Sequence, residues 1–193
     1  MPLYSEQEIV KGCQDNDRVC QEYLYKQYYS LFLKICARYA KNMEDAEQLL
    51  NDGFLRIFTN AKNFKHAGSF EGWMKRILVN TCLDYLKSKQ LKSAMQISYS
   101  GDVAEDMQIA ISTQALQDIE FKELLNMIQA LPPVSKTVFN LYVFDGYSHK
   151  EIATMLEMSE NTSSWHLHHA RTQLQKKLKQ ANAEKPVYEH KRV

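Results

Sequence analysis

The sequence contains few of the residues that interrupt helices. Its 193 residues include only six glycines and four prolines. This scarcity favours long helices, because short strands need frequent turns. No apolar run approaches the roughly 18–20 residues that a membrane-spanning helix needs, and residues 1–6 lack the basic-then-apolar order of a signal peptide. We therefore expect an all-α protein of the cytoplasm.

Motifs of common enzymes are also missing. The sequence contains no Gly-rich phosphate loop and no nucleophile elbow. Its four cysteines, Cys13, Cys20, Cys36 and Cys82, include no Cys-x-x-Cys pair and match no metal-ligand spacing. In a reducing cytosol such cysteines are typically small buried hydrophobes. We predict no catalytic residue, no metal and no cofactor.

Charge is unevenly distributed along the chain, although the formal net charge is only +1. Residues 62–92 contain seven Lys/Arg and two Asp/Glu, a net of +5. Residues 93–124 contain six Asp/Glu and one Lys, a net of −5, and residues 160–180 have a net of +3 from four Lys/Arg and one Glu. This order suggests two polyanion-binding faces separated by a segment that avoids polyanions. Solvated helix faces without a partner are the alternative.

Residues 148–179 have the pattern of a helix-turn-helix. Ser148 and Glu151 have the spacing of a capping box at the start of a short helix. Glu157 and Met158 turn the chain, and Ser159 is placed to cap a longer helix. The inward stripe of that helix contains Ser163, Leu167, Ala170 and Leu174. Its opposite, outward stripe carries amide, aromatic, imidazole and hydroxyl groups, at Asn161, Trp165, His168, Thr172 and Gln175. A recognition helix of the major groove has this organisation; a helical hairpin with a solvated face is the alternative.

Two histidines in this helix, His166 and His169, are three residues apart and have the spacing to bind a metal from one helix face. No carboxylate or thiol nearby completes a ligand set. We therefore predict that they do not form a metal site.

The central segment, residues 69–90, predicts a helix with an unusual polar face. Trp73, Arg76, Asn80, Asp84 and Lys87 are spaced 3, 4, 4 and 3 residues apart, which places them within about 80° of the helix circumference. An aromatic ring among cationic and amide groups is a common platform for a separated nucleic-acid strand. The alternative is that Trp73, at the edge of the apolar arc, folds over the core.

Three segments, in this order, resemble the extracytoplasmic-function (ECF) sigma factors. Residues 45–58, Asp-Ala-Glu-Gln-Leu-Leu-Asn-Asp-Gly-Phe-Leu-Arg-Ile-Phe, resemble region 2.2 of that family, which usually begins Asp-Ala-Glu-Asp-Leu-Val-Gln-x-x-Phe. Residues 70–87, with Phe-x-x-Trp-Met-x-Arg-Ile-x-x-Asn-x-x-x-Asp-Tyr-x-Lys, resemble regions 2.3 and 2.4. Residues 146–174, from Gly-Tyr-Ser-x-x-Glu-Ile-Ala to Ala-Arg-x-x-Leu, resemble region 4.2.

The resemblance implies two small helical domains joined by a flexible linker. Residues 1–92 would form the region 2 helical bundle, 93–116 an acidic flexible linker, 117–180 the region 4 helix-turn-helix, and 181–193 a disordered tail. Such a protein would be a transcription initiation factor rather than an enzyme. It would bind core RNA polymerase, recognise the −10 and −35 promoter elements, promote strand opening and be regulated by an anti-sigma factor.

The resemblance also implies particular contacts. The β′ coiled coil of the polymerase would bind a docking helix through Asp45, Glu47, Gln48, Asn51, Asp52 and Leu55. Melted −10 bases would be captured by Lys62, Lys65, Trp73, Arg76, Asn80 and Lys87. The second domain would touch the β flap and read the −35 element through Asn161, Thr162, Ser164, Trp165, His168 and Arg171. This sequence departs from the family pattern at Gln48 and Asn51, where Asp and Gln are usual. It also departs at residues 163–166, where one apolar residue and several basic residues are commoner.

Two other functions fit parts of the sequence. A stand-alone helix-turn-helix regulator explains residues 134–179, leaves residues 45–92 without a purpose, and would bind its operator without polymerase. A protein-interaction module without sigma activity would keep its partner when Trp73 and Asn80 are replaced.

Overall fold

The computed structural model describes residues 4–65, 67–96 and 119–184. All regular secondary structure in these ranges is helical, which confirms the predicted all-α fold. The chain divides into two compact units, Met1–Lys122 and Glu123–Val193. Of the predicted linker, residues 93–96 belong to a helix and residues 97–116 lie outside the described residues. Of the predicted tail, residues 181–184 belong to a helix and residues 185–193 lie outside the described residues.

The described part of the first unit contains four complete α-helices: α1 (Glu6–Gln14), α2 (Arg18–Tyr39), α3 (Met43–Asn60) and α4 (Phe70–Gln96). A short 3-10 turn, Ala61–Asn63, follows α3. The sequence predicted the last of these helices over residues 69–90. Helix α4 continues beyond its predicted end at Gln90, because residues 91–96 are mostly good helix formers and the next glycine is Gly101.

Short polar side chains start these helices. Each accepts a hydrogen bond from a backbone N–H of the first helical turn, which leaves one fewer unsatisfied donor at the helix end. The capping residues are Ser5, Asp17, Asn42 and Ser69. Their positions fix where α1, α2, α3 and α4 begin.

The core of the first unit lies where α2, α3 and α4 pack on one another. Phe32 and Phe54 are fully buried there with ring centroids 5.5 Å apart. Gly53 lets α3 approach α4 closely, because a Cβ at this position would lie 2.3 Å from the Leu78 side chain. All four cysteines are buried, as the sequence predicted, and none of them forms a disulfide bond.

The second unit contains α5 (Ile119–Gln129) from Glu123 onward, α6 (Pro133–Phe139), α7 (His149–Leu156) and α8 (Glu160–Glu184). A turn of π-helix, Asn140–Phe144, continues α6. Helices α6 and α7 both pack on α8, around a core that includes Leu125, Ile128, Val138, Leu141, Ile152, Leu167 and Ala170. Helix α8 extends beyond its predicted end near Lys179, and this long helix carries the candidate recognition surface.

Candidate functional site

The start of α7 and the turn between α7 and α8 both have the predicted capping geometry. The Ser148 backbone N–H donates to Glu151 Oε2 at 2.9 Å, and the Glu151 N–H donates to Ser148 Oγ at 3.3 Å. Glu157 adopts a left-handed conformation with φ of 55° and ends α7. Ser159 Oγ accepts from the Thr162 N–H at 3.0 Å at the start of α8. These local bonds fix the helix-turn-helix.

The inward and outward stripes predicted for α8 differ in solvent exposure. Its predicted inward residues are all buried, namely Ser163, Leu167, Ala170 and Leu174. In the predicted outward stripe, Thr172 is half-buried and the other four residues are exposed: Asn161, Trp165, His168 and Gln175. The six residues predicted for −35 contacts are all exposed: Asn161, Thr162, Ser164, Trp165, His168 and Arg171. On α7, Ile152 is buried while Ala153 and Leu156 are half-buried. The structure therefore places the predicted −35 residues together, on the solvent side of α8.

Trp165 is supported by imidazole rings. Its side chain is 59% exposed. The indole lies parallel to the His169 ring, with centroids 5.2 Å apart and an interplanar angle of 3°, and meets the His166 ring edge-on at 4.9 Å. One indole face is thus covered by His169 and the rest remains accessible from solvent. The spacing of these histidines in the sequence suggested only a metal site and did not predict this support.

Hydroxyl groups contact three imidazole rings of the second unit, those of His149, His166 and His169. Ser135 Oγ on α6 lies 3.0 Å from His166 Nδ1 and 3.4 Å from His169 Nδ1. Burial lowers the pKa of His166, and the neighbouring His169 lowers it further. His149 Nδ1 lies 2.9 Å from Ser163 Oγ and joins α7 to α8. Within the described residues, no three His, Cys, Asp or Glu side chains come together as metal ligands.

The polar face of α4 is exposed around a partly covered indole. Arg76, Asn80, Asp84 and Lys87 are exposed, and Trp73 is half-buried. The Trp73 ring stacks on Phe70 at 5.5 Å with an interplanar angle of 14°. The indole therefore packs at the edge of the core, as the alternative interpretation holds, and still keeps part of its surface exposed among the polar groups.

The loop before α4 is anchored at its base. Phe64 is only 5% exposed, and its ring lies 5.0 Å from Phe70 and 5.6 Å from Trp73. Gln14 Nε2 donates to the carbonyl oxygens of Ala61 at 3.3 Å and Phe64 at 3.5 Å. The lysines predicted to contact −10 DNA, Lys62 and Lys65, are exposed on this loop. Neither anchor was predicted from the sequence, although Phe64 is a large apolar residue in a polar loop.

The outer face of α3 carries the predicted docking residues. Five of the six are exposed: Glu47, Gln48, Asn51, Asp52 and Leu55. Leu55 is 66% exposed. The sixth, Asp45, is half-buried and accepts a hydrogen bond from the Tyr85 hydroxyl at 2.6 Å.

A groove of about 390 Å³ separates this face of α3 from α4. Asp45, Gln48 and Asp52 line it from α3, and Tyr85 from α4. Across the groove, Arg56 Nη1 lies 2.6 Å from Asp84 Oδ2. Helices α3 and α4 are therefore joined by two side-chain pairs, Asp45–Tyr85 and Arg56–Asp84, which sequence spacing did not reveal.

Two family models match the chain. The model for sigma-70 region 2 matches residues 24–92, which contain α3 and α4. The model for sigma-70 region 4 matches residues 121–174, which contain the helix-turn-helix. The two ranges follow in the family's order and together include more than half of the chain.

Relatives align along most of the chain. The RNA polymerase sigma-H factor of Pseudomonas aeruginosa is 25% identical over 185 residues, an alignment that includes 90% of this chain and 93% of that protein. The ECF RNA polymerase sigma factor SigE of Mycolicibacterium smegmatis is 28% identical over 164 residues, which are 83% of this chain and 62% of that protein.

A solved structure has the same fold. It is the sigma factor RpoE in complex with the anti-sigma factor NepR from Bartonella quintana, which matches with a TM-score of 0.56 and 18% identity over 80% of this chain and 96% of that chain. In the described parts of this chain, no helix has both the length and the apolarity to cross a membrane. The order of the two matched regions, the helices that carry them and the named relatives lead to one assignment: the chain belongs to the sigma-70-type sigma factors of the extracytoplasmic-function class.

Proposed function

We propose that the first unit docks on core RNA polymerase through α3 and captures the melted −10 strand through α4, and that the second unit reads the −35 element through α8. The observation that carries this proposal is the polar face of α4. It combines a partly exposed indole at Trp73 with the exposed side chains of Arg76, Asn80 and Lys87.

This face suits a separated strand better than a duplex. A flipped base stacks on an aromatic ring, an amide hydrogen-bonds to base edges, and cationic side chains hold the phosphates. Trp73 is braced from below by Phe70 and Phe64, so little ordering of the ring is needed when a base arrives. Lys62 and Lys65 add positive charge on the anchored loop beside it.

The docking role of α3 is supported by its exposed mixed surface. Leu55 is a large apolar side chain at 66% exposure, among the exposed polar residues Gln48, Asn51 and Asp52. Protein interfaces commonly have an apolar centre with a polar rim, and Leu55 with its polar neighbours has this composition. In the sigma family this segment faces the β′ coiled coil, and we assign the same partner here.

The −35 role of α8 is supported by the helix-turn-helix geometry. A recognition helix places residues of its first turns against base edges. Asn161, Thr162, Ser164 and Trp165 lie in these turns and are exposed, as is Arg171 further along. The amide can pair with a base edge, the indole can contact a thymine methyl group, and the guanidinium can hold a phosphate.

Further assignments follow from this function. The first domain would include residues 1–92 and the second residues 117–180, with residues 93–116 as an acidic linker and 181–193 as a tail. The protein would work in the cytoplasm beside polymerase, without catalytic chemistry or a cofactor of its own. We also propose regulation by an anti-sigma factor, because the structurally similar RpoE was solved with one.

In vitro transcription with core RNA polymerase tests this function, on promoters recovered from the source genome. Trp73→Ala and Asn80→Ala should both impair core-dependent initiation. Lys26→Ala is the matched control, because Lys26 is an exposed lysine of α2 paired with Glu22 at 2.6 Å, and it should initiate like the wild type. Both strand-binding variants should still bind core polymerase, since the proposed docking residues are unchanged.

Two results would contradict the proposal. Absence of core-dependent transcription together with tight binding of the lone protein to duplex DNA would identify a stand-alone regulator. Full transcription by both variants would remove the strand-binding role from α4.

A further inference from the structure

Asp84 is an acidic residue on a face proposed to bind an anionic strand. It lies one helical turn after Asn80 and nearly one turn before Lys87. An uncompensated carboxylate at this position would repel the phosphate backbone. The distance to Asn80 along the helix, about 6 Å, is shorter than the Debye length of about 8–10 Å at physiological salt, so solvent ions screen this repulsion only in part.

Arg56 compensates this charge from the neighbouring helix. Its Nη1 lies 2.6 Å from Asp84 Oδ2, and the two side chains are 46% and 60% exposed. Ion pairs this exposed contribute little to folding stability. The pair therefore has little value as a structural brace, and its main physical effect is on the electrostatic potential of the α4 face.

The position of Arg56 connects two surfaces. It lies on α3 one helical turn after Asp52, and both line the groove between α3 and α4. Arg56 therefore belongs to the docking helix, while the carboxylate that it holds belongs to the strand-binding face.

We propose that Arg56 is a positioning residue for promoter opening, which holds the Asp84 carboxylate toward α3 and keeps its negative charge from the path of the captured strand. This inference rests on the proposed function, because it concerns the same α4 face. It adds a residue that neither the sequence pattern nor the family resemblance had assigned to strand capture.

A double-mutant cycle tests whether Arg56 acts through Asp84. The full-length chain in complex with core polymerase is titrated with a fluorescently labelled single strand carrying the −10 element, for the wild type, Arg56→Ala, Asp84→Asn and the double variant. Arg56→Ala should weaken strand binding about three- to tenfold, the effect of one partly screened charge at this distance. Asp84→Asn should bind at least as tightly as the wild type, and the double variant should match Asp84→Asn.

Two controls separate this role from structural or direct effects. Arg56→Lys retains a cation and should recover most of the lost affinity. Lys26→Ala removes one positive charge from an exposed ion pair elsewhere in the same unit and should bind the strand like the wild type. The affinity of each variant for core polymerase is measured without DNA, so that a docking defect is seen separately.

The outcomes are distinct. Arg56→Ala could weaken strand binding by the same factor in the wild type and in the Asp84→Asn variant. In that case Arg56 contacts the strand or the polymerase directly, and the inference is wrong. It is also wrong if Arg56→Ala has no effect. If the wild-type complex itself fails to bind the −10 strand, the proposed function fails, and this inference with it.

Discussion

Single residues of this protein show two ways to support an outward indole. Trp73 rests on the buried rings of Phe70 and Phe64, whereas Trp165 rests on His169 at the surface. Both arrangements orient the ring and leave part of it accessible. An aromatic ring oriented in advance loses less conformational entropy when it binds a base.

Substitution of Trp73 by phenylalanine and by alanine separates its two roles. Trp73→Ala should lower the free energy of unfolding by about 2 kcal/mol, less than the 3–5 kcal/mol typical of a fully buried tryptophan. Trp73→Phe keeps an aromatic ring over Phe70 and should unfold close to the wild-type midpoint. Both should reduce strand opening, because phenylalanine offers a smaller surface for stacking. Thermal unfolding and permanganate footprinting of the −10 segment measure the two effects. Wild-type opening by both variants would mean that the ring serves only the core.

His166 predicts a pH dependence of stability. Its pKa in the folded protein is lowered from the ordinary 6.5 by burial and by His169, so the unfolded chain takes up a proton more readily than the folded one. The stabilisation is complete above pH 6.5 and is lost as the pH falls through the lower folded pKa. Unfolding midpoints measured above and below pH 6.5 should show this loss, and His166→Gln should reduce it. An NMR titration midpoint for His166 above 6.5 would contradict the prediction.

The helices follow from local signals that the sequence displays. Apolar periodicity predicted the buried stripe of α8, and the Ser148–Glu151 spacing predicted the capping box that starts α7. Contacts between residues distant in sequence were not predictable. The bonds from Gln14 to the loop carbonyls and the pair between Arg56 and Asp84 depend on how α1, α3 and α4 pack, which no periodicity specifies. The ends of α4 and α8 were also misplaced, because a frayed end and a continuing helix share the same polar composition.

Close packing between α1 and α2 depends on a glycine. A Cβ at Gly12 would lie 2.3 Å from Cys20 Sγ and 2.6 Å from Cys20 Cβ. Such overpacking costs about 1–3 kcal/mol, and the better helix propensity of alanine returns at most about 1 kcal/mol. Gly12→Ala should therefore lower the free energy of unfolding by about 1 kcal/mol.

Gly72→Ala is the matched control for this substitution. A Cβ at Gly72 would meet only Ser69 Oγ, at 3.0 Å, so this change should alter the free energy of unfolding by less than Gly12→Ala does. Chemical denaturation of the three proteins measures the difference. Equal effects of the two substitutions would show that α1 can shift away from α2 without cost.

At the scale of the whole molecule, the formal net charge of +1 cannot by itself bind a promoter tightly. Affinity must come from the local basic surfaces, and opening must be driven by contacts that exist only with the separated strand. Separating a promoter costs about 1.4 kcal/mol per base step in lost stacking. Stacking on an aromatic side chain returns about 1–3 kcal/mol per captured base, and Trp73 offers one such ring. One captured base thus offsets the separation of one or two steps, and the polymerase must supply the rest.

This balance predicts how core polymerase and promoter structure combine. The isolated chain should bind a duplex promoter poorly, and core polymerase should raise its affinity strongly. On a promoter whose −10 segment is already mismatched and open, the separation cost is absent, so the gain from core should be smaller than on the duplex. Fluorescence anisotropy measures the affinity of the chain, with and without core polymerase, for the duplex promoter and for the opened promoter. The salt concentration is kept fixed, because phosphate contacts depend steeply on salt. If core polymerase raised the affinity for both promoters by the same factor, it would add only sequence-independent affinity. Core polymerase would then not assist strand capture by α4.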